Sequence, residues 1–404
     1  MSEAAQAREN KMGTMPVNKL LISMSLPMIL SMLVQALYNI VDSIFVAQIS
    51  ENSLTSVSLA FPLQNLMIAV SAGTCVGVNA LLSRSLGERR QAEANLAAVN
   101  GVFLALMGFL VFCIFGLFGS RMFFASQTNT PEVVEFGTQY LTICLCCSFG
   151  IFLEMTFERL MQSTGRTLYS MITQGTGAII NIVLDPILIF GLCGFPAMGI
   201  QGAAIATVIG QIVAALLAIF LNQTKNPDIQ VTFKGFRPNR RVIGRIYSVG
   251  IPSIVMQSIT SVMTFGMNKI LILFSETAVS VLGVYFKLQS FIFMPIFGMN
   301  NGLIPIIAYN YGAANRQRIM QTLKLGVTIA VSIMLCGLVI FQVFTPQLLM
   351  LFNASEAMLE IGVPALRIIS LSFLFAGYCI IVVSFFQALG NGIYSLCVSV
   401  ARQL

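Results

Sequence analysis

The feature that most constrains this chain is a series of apolar stretches, each long enough to cross a bilayer. A transmembrane helix needs about 20 mostly apolar residues, and a segment in lipid must satisfy its own backbone hydrogen bonds, which favours helices. Hydropathy therefore predicts ten spanning helices and the start of another at residue 392. The predicted spans lie near residues 20–48, 54–83, 94–118, 135–161, 167–191, 198–221, 243–273, 278–308, 323–344 and 358–388.

Composition and charge support a polytopic membrane protein. Charged residues make up 9% and hydrophobic residues 57% of the 404 residues, whereas soluble domains carry about 25% charged residues. Most of the 22 Lys and Arg residues fall on one side of the predicted membrane, so the positive-inside rule predicts a cytoplasmic N-terminus. The net charge of +7 follows from this distribution and does not indicate nucleic-acid binding.

The absence of histidine narrows the chemistry. With no His in the chain, a Ser or Cys nucleophile activated by His is excluded. The nine Cys residues lie in or beside apolar segments without the spacing of metal ligands. We therefore predict that the protein is not an enzyme and has no cofactor or resident metal.

One apolar run contains an unusual polar group. Asp185 costs about 2.5–3.5 kcal/mol to insert at such a depth, so it must be paired, wetted or protonated. Asn181 lies four residues earlier and projects from the same helix face, and Pro186 leaves the carbonyl of Ile182 without its helical donor. These oxygens predict a cation site. The alternative is a kinked helix whose Asp is satisfied by its neighbours.

The two halves of the chain share residues at a constant offset of 225 positions. Many of these identities are Gly, Pro or Gln, which fix backbone and packing rather than only matching composition. Two six-span halves joined by a linker on the inside have the same orientation, so we predict a parallel repeat of two lobes. Examples are Pro27/Pro252, Gln64/Gln289, Gly87/Gly312, Gly165/Gly390 and Tyr169/Tyr394.

The predicted fold is an all-α polytopic membrane protein with two six-helix lobes, the second truncated. By the repeat, Leu404 is the partner of Ile179, so the second lobe is expected to run to about residue 447. We therefore expect a fragment or an incomplete lobe. The predicted divisions are a cytoplasmic N-terminal segment (1–19), the first lobe (20–221), a cytoplasmic linker (222–240) and the second lobe (241–404).

The first span carries a second deep carboxylate, Asp42. Together with Gln35 and Tyr38 it forms a polar stripe at helical spacings of three and four. Pro27 lies earlier in the same span and can bend it. The repeat partner of Asp42 is Met267, so we predict that the acidic chemistry belongs to the first lobe.

Four further residues are weaker candidates. Tyr140, in the fourth span, can donate a hydrogen bond to the acids, and Thr207, in the sixth, can offer a hydroxyl to the ion site. Glu154 lies deep in the fourth span. Lys287 replaces Pro62 of the repeat, and we predict that it and Glu154 line a central cavity. The alternative for Lys287 is a side chain that extends to the interface.

Five motifs form a pattern that extends over nearly the whole chain. They are residues 181–186, 199–207, 26–27 together with Asp42, 162–165 and 304–312. The pattern resembles that of the multidrug and toxic compound extrusion (MATE) family, and residues 181–186 are its most specific part. The resemblance implies a twelve-span, two-lobed, V-shaped antiporter that exports organic compounds in exchange for H⁺ or Na⁺.

The resemblance also implies site residues. Another branch of the family uses acidic residues of the second lobe, where this chain has Lys269 and Lys287, so the DinF/MepA-like branch matches better. The implied coupling-ion ligands are Asp42, Asn181, Asp185 and Thr207, with Gln35, Tyr38 and Tyr140 as supporting polar residues and Pro27 as the hinge.

We therefore hypothesise a secondary antiporter for organic, often cationic, compounds that works by alternating access of two lobes. The coupling ion is H⁺ or Na⁺, because oxygen ligands suit both. We expect small organic substrates and membrane lipids as partners, no nucleic acid, and a monomer in a prokaryotic plasma membrane. Two alternatives stay open: a carrier of lipid-linked precursors, which needs a basic cavity, and a membrane scaffold that transports nothing.

Overall fold

The structure is a bundle of helices. The computed structural model describes residues 10–403 except residues 272 and 353, and no strand occurs among them. A short 3₁₀ turn, Leu192–Gly194, joins two of the helices. In chain order the helices are α1 Lys11–Thr14, α2 Val17–Ala47, α3 Glu51–Gly87, α4 Gln91–Ala125, α5 Pro131–Cys146, α6 Phe149–Ser163, α7 Thr167–Phe190, α8 Ile200–Lys225, α9 Arg240–Leu271, α10 Glu276–Gly312, α11 Arg316–Val343, α12 Thr345–Met350, α13 Glu356–Ser370, α14 Phe373–Ala388 and α15 Gly392–Gln403.

The spans agree with the hydropathy. Within the described ranges, eight helices are long and apolar enough to cross a membrane. The pairs α5–α6 and α13–α14 meet the same criteria when each is taken as one bent span, with bends of 44° and 47°. Counting both pairs gives the ten predicted spans, and the all-α polytopic fold class is confirmed. The two breaks were not predicted.

Serine side chains fix the starts of the two longest helices. Ser50 Oγ accepts a hydrogen bond from the Ser53 N–H at 3.0 Å, and Ser275 Oγ accepts one from the Ala278 N–H at 3.1 Å. Each satisfies a backbone donor that has no partner within the helix. The two helices, α3 and α10, begin at residues 51 and 276, which are 225 positions apart. The duplication and the domain boundaries stay predictions.

Each lobe has an apolar core, and the core of the second lobe also includes Leu20 and Met24 of α2. In the first lobe, Phe112 of α4 and Phe152 of α6 are buried with ring centroids 5.9 Å apart. In the second lobe, Phe373 of α14 lies 5.2 Å from Phe341 of α11 and 5.5 Å from Phe293 of α10, centroid to centroid. Aromatic pairs at these separations stabilise a core beyond the apolar area that they bury.

The lobes meet where glycines allow helix backbones to touch. A Cβ atom on Gly77 of α3 would lie 2.1 Å from the carbonyl oxygen of Ile246 in α9, and one on Gly298 of α10 would lie 2.7 Å from the Cα of Ile29 in α2. Both contacts join the first lobe to the second. We call this side of the bundle the closed end, formed by residues 10–29, 73–90, 240–254 and 298–318.

The same four helices are less buried at their other ends. Leu37, Phe61, Val262 and Phe291 are between 57% and 69% exposed. We call this side the open end, formed by residues 33–66, 255–271 and 273–297. The burial pattern indicates that α2, α3, α9 and α10 join the lobes mainly at the closed end.

Candidate ion-coupling site

The two deep carboxylates come from different helices and meet. Asp42 lies on α2 and Asp185 on α7, and their carboxyl groups are within hydrogen-bond reach of each other. Asp185 is fully buried. Two carboxylates this close repel each other when both are ionised, unless they share a proton or a cation. The structure therefore brings together the two acids that the sequence singled out.

An amide links the acid on α7 to α8. With its nitrogen facing Asp185, as the hydrogen-bond network requires, the Asn181 amide donates to Asp185 Oδ2 at 3.0 Å. The Asn181 oxygen then accepts from Thr207 Oγ1 at 3.2 Å and from the Thr207 N–H at 3.1 Å. The sixth-span threonine thus joins the site, and Asn181 is nearly completely buried.

Tyrosine hydroxyls close the cluster on two sides. Tyr38, one turn before Asp42 on α2, is within hydrogen-bond reach of Thr207. Tyr140 of α5 is buried, interacts electrostatically with Asp42, and accepts a hydrogen bond from Gln64 Nε2 at 3.4 Å. Gln64 of α3 is a residue that the sequence reasoning missed as part of the site. The sequence feature that could have identified Gln64 is its position in the repeat, where it matches Gln289.

One oxygen of the cluster has no partner. Asp42 Oδ1 is buried and makes no hydrogen bond within the described residues. A buried carboxylate oxygen without a donor is costly, and a proton or a small cation would relieve that cost. No group of three or more His, Cys, Asp or Glu side chains that could hold a metal was found in the described part of the chain. A cation here would thus depend on carboxyl, amide and hydroxyl oxygens together.

The predicted hinge lies on the closed-end side of the acids. α2 runs through Pro27 without a break, and Pro27 has no N–H to give to the carbonyl of Ser23. The Thr167 hydroxyl, at the start of α7, donates to that carbonyl at 3.3 Å. The carbonyl released by the proline is thus satisfied by a neighbouring helix.

Three sequence candidates lie outside the hydrogen-bonded cluster. Gln35 is exposed on α2, two turns before Asp42. Glu154 lies on α6, four residues before Glu158, with which it interacts electrostatically. Lys287 is exposed on α10 with its ammonium 5.9 Å from the ring centroid of Phe352. The functional roles of all the candidates stay predictions.

A second polar network lies beside the closed end. Glu158 is buried and accepts a hydrogen bond from Thr173 Oγ1 at 2.8 Å. Its neighbour Arg159 donates to Gln162 Oε1 at 2.9 Å and to Asn301 Oδ1 of α10 at 2.8 Å. The bond to Asn301 joins the two lobes.

Known proteins are similar to this chain in sequence. The MatE family model matches residues 27–187 and 252–404. The multidrug export protein MepA of Staphylococcus haemolyticus is 26% identical over 386 residues, 95% of this chain and 84% of that protein. MepA of Staphylococcus aureus is 25% identical over 379 residues, 93% and 83% of the two chains.

Solved structures give the same result. The outward-facing conformation of a multidrug resistance MATE family transporter of the MOP superfamily superposes with a TM-score of 0.91 at 27% identity, over 98% of this chain and 88% of that one. The MATE resemblance and the membrane-transporter class are confirmed, since the family model covers most of the chain. This chain belongs to the MATE family of multidrug efflux transporters.

Proposed function

We propose that this protein is a secondary antiporter that exports organic, often cationic, compounds in exchange for H⁺ or Na⁺. The observation that carries the proposal is the contact between Asp42 and Asp185, which come from two helices of one lobe. An intramembrane carboxylate is a functional-site hypothesis by default. Two in contact form a site whose charge depends on whether an ion is bound.

The geometry suggests how ion binding changes the lobe. When Asp42 and Asp185 are both ionised, their repulsion favours separation of α2 from α7. A proton or Na⁺ held by both removes that repulsion, with Asn181 and Thr207 fixing the orientation of Asp185. Because α2 contains Pro27, a change at Asp42 can be transmitted as a bend towards the closed end. By linkage, the ion must then alter substrate affinity by the same factor as the substrate alters ion affinity.

The transport mechanism and the membrane location are proposed from the family and from the distribution of Lys and Arg along the chain. We propose alternating access, in which the two lobes rock about the closed end. We also propose that the protein is a monomer in the plasma membrane of a prokaryote, with its N-terminus in the cytoplasm. The relatives named as multidrug export proteins come from staphylococci. The exposed apolar side chains of the open end suit organic substrates, which bind mainly by burying apolar surface.

The first experiment measures efflux of ethidium from cells that express this chain, beside Asp42→Asn, Asp185→Asn and a vector control. Glu135→Gln, an exposed carboxyl change on the first lobe, is the matched control. We expect efflux by the wild type and by Glu135→Gln but not by either Asp variant, with equal amounts of protein in the membrane. Unchanged efflux in both Asp variants would rule out the coupling role.

A second arm identifies the ion. Purified protein in liposomes is given a pH gradient without Na⁺, or a Na⁺ gradient at constant pH, and substrate movement is recorded. Substrate movement that only one of the two gradients drives identifies the coupling ion. No movement under either gradient, together with transfer of a fluorescent lipid analogue between the leaflets, would favour the lipid carrier instead.

A further inference from the structure

A cavity of about 390 Å³ lies at the closed end, far from the acid cluster. It is open on one side and is lined by the N-terminal helix α1, the start of α2, the turn between α6 and α7, and the linker that joins the lobes. A water molecule occupies about 30 Å³ in the liquid, so the cavity can hold about a dozen waters or a small polar group. None of the residues assigned to ion coupling lines it.

Two cationic side chains face this cavity. Lys11 of α1 and Arg166, which precedes α7, both line it. The pKa of Lys11 is lowered, first by burial and then by the positive charge of Arg166. The cavity thus holds two like charges in a partly desolvated space, which is unfavourable unless an anion compensates them.

The one acid in the lining pairs with Arg166 and with no other cation of the cavity. Asp228 of the linker is 3.4 Å from a terminal nitrogen of Arg166, a long contact for an ion pair. The Nε of Arg166 is buried and has no hydrogen-bond partner in the described residues. Guanidinium donors suit planar or tetrahedral oxyanions, and Asp228 accepts from only one terminal nitrogen of Arg166, so other donors of this guanidinium can serve a ligand with acceptor oxygens.

The backbone around the cavity favours negative charge as well. Arg166 is the N-cap residue of the 24-residue helix α7, and no side chain caps that helix. Its first N–H groups lack helical partners and lie at the positive end of the helix dipole. Gly165, with φ +85°, lets Lys11 approach this turn closely: a Cβ there would lie 3.0 Å from Lys11 Cε.

We propose that this cavity binds a phosphate-type anion between Lys11 and Arg166 at the uncapped start of α7. The anion is either free phosphate or the phosphodiester of an anionic lipid headgroup, because both present the same oxygens. It would join α1 to the α6–α7 turn, where Asn10 Nδ2 already donates to the Thr164 carbonyl at 2.9 Å. The proposal does not depend on the antiport mechanism.

The test measures binding, not transport, on the purified full-length chain. Inorganic phosphate is titrated by calorimetry against chloride at equal ionic strength. In parallel, retention of phosphatidylglycerol from nanodiscs is recorded by native mass spectrometry, with phosphatidylcholine as the neutral lipid. The variants are Lys11→Gln and Arg166→Gln, with Arg241→Gln, an exposed basic residue at the closed end, as the matched control.

We expect each cavity variant to weaken binding at least tenfold, as for the loss of one charged hydrogen bond, and the control to stay within twofold of the wild type. Asp228→Asn should tighten binding severalfold because it removes the competing carboxylate, a gain that misfolding cannot produce. Effects on phosphate titration identify a soluble anion, and effects on phosphatidylglycerol retention identify a lipid headgroup. Binding that is absent in the wild type, or equal in all variants, would overturn the proposal.

Discussion

Asn181 determines how Asp185 is held, because its two amide atoms face opposite partners. The nitrogen donates to the carboxylate and the oxygen accepts from Thr207. If the amide turned over, its nitrogen would face the hydroxyl and its oxygen would face the carboxylate, leaving two acceptors in contact. The Thr207 N–H can only donate, so it fixes the amide orientation and through it the donor that Asp185 receives, and the Thr207 hydroxyl adds a second bond to the same oxygen.

Thr207→Val tests this relay with little change in side-chain volume. Valine keeps the backbone N–H that donates to the Asn181 oxygen but removes the hydroxyl donor, so this oxygen loses one of its two hydrogen bonds and the amide is held less firmly. We expect the apparent affinity for the coupling ion to fall about tenfold, the effect of about 1.4 kcal/mol from one buried hydrogen bond. The measurement is the substrate efflux rate in liposomes as a function of the driving ion's concentration.

Two other substitutions separate the relay from packing. Thr207→Ser keeps the hydroxyl and should keep the wild-type ion affinity. Thr176→Val removes a hydroxyl that only donates to the Ile172 carbonyl of its own helix, so it should have no effect on the ion. If Thr207→Val retained wild-type affinity, the hydroxyl would have no part in the site.

The pairing of Asn181 with Asp185 could be predicted from sequence, because residues four apart on a helix share a face. The meeting of Asp42 with Asp185 could be expected only because two buried carboxylates in one lobe must find partners. The contact of Gln64 with Tyr140 joins residues 76 positions apart. No local spacing predicts such a contact, since it depends on how the helices pack.

At the scale of elements, α2 connects the acid cluster to the closed end. It carries Asp42 near one end, and near its middle it packs Ile29 against Gly298 of the second lobe. Pro27 lies two residues from that contact. A bend at this proline would therefore move the helix relative to both the acids and the opposite lobe.

Pro27→Ala should stiffen α2. Alanine restores an N–H that can donate to the Ser23 carbonyl, in place of the Thr167 hydroxyl. We expect unchanged or slightly raised thermal stability but a several-fold slower efflux, because bending then breaks a hydrogen bond. Pro364→Ala, an exposed proline within α13, should leave the rate unchanged. Equal rates for wild type and Pro27→Ala would show that α2 does not bend during transport.

The close approach of α3 to α9 gives a second prediction. A methyl group at Gly77 would meet the Ile246 carbonyl at 2.1 Å, so Gly77→Ala must push the lobes apart at the closed end. Overpacking of this kind costs about 1–3 kcal/mol, and we expect a lower unfolding temperature by thermal-shift assay. Gly175→Ala is the control, because nothing lies within 4 Å of a Cβ there. An unfolding temperature for Gly77→Ala that equals the control's would contradict this packing.

The helix breaks at Cys147–Ser148 and Leu371–Ser372 show where sequence reasoning stops at this scale. Neither dipeptide contains Gly or Pro, the usual signals of a break, and hydropathy runs through both. The bend instead follows from packing: in the first lobe, Gly150 of α6 lies so close to α8 that a Cβ would be 3.0 Å from Ile212 Cγ1. Such contacts are set by the tertiary arrangement.

At the scale of the whole molecule, the bonds between the lobes at the closed end oppose their separation there. Arg159 of the first lobe donates to Asn301 of the second at 2.8 Å. Arg318 donates to the Met12 and Met15 carbonyls at 3.0 Å and 2.7 Å, which holds the N-terminal segment against α11. A conformation that opens this end must replace these bonds by others.

Alternating access predicts that the two ends move in opposite directions. Spin labels at Ala92 and Gln317 report the closed end, and labels at Asn129 and Glu356 report the open end; all four residues are exposed. In a background without the nine native cysteines, a change of coupling-ion concentration should lengthen the closed-end distance and shorten the open-end distance, as measured by pulsed electron paramagnetic resonance.

Asn301→Ala removes the Arg159 bond and should raise the population with the longer closed-end distance, by about fivefold for 1 kcal/mol. With Asp42→Asn the ion should shift neither distance, since the carboxylate that senses it is gone. Two distances that lengthen together, or an ion response that survives in Asp42→Asn, would contradict rocking driven from the first-lobe acids.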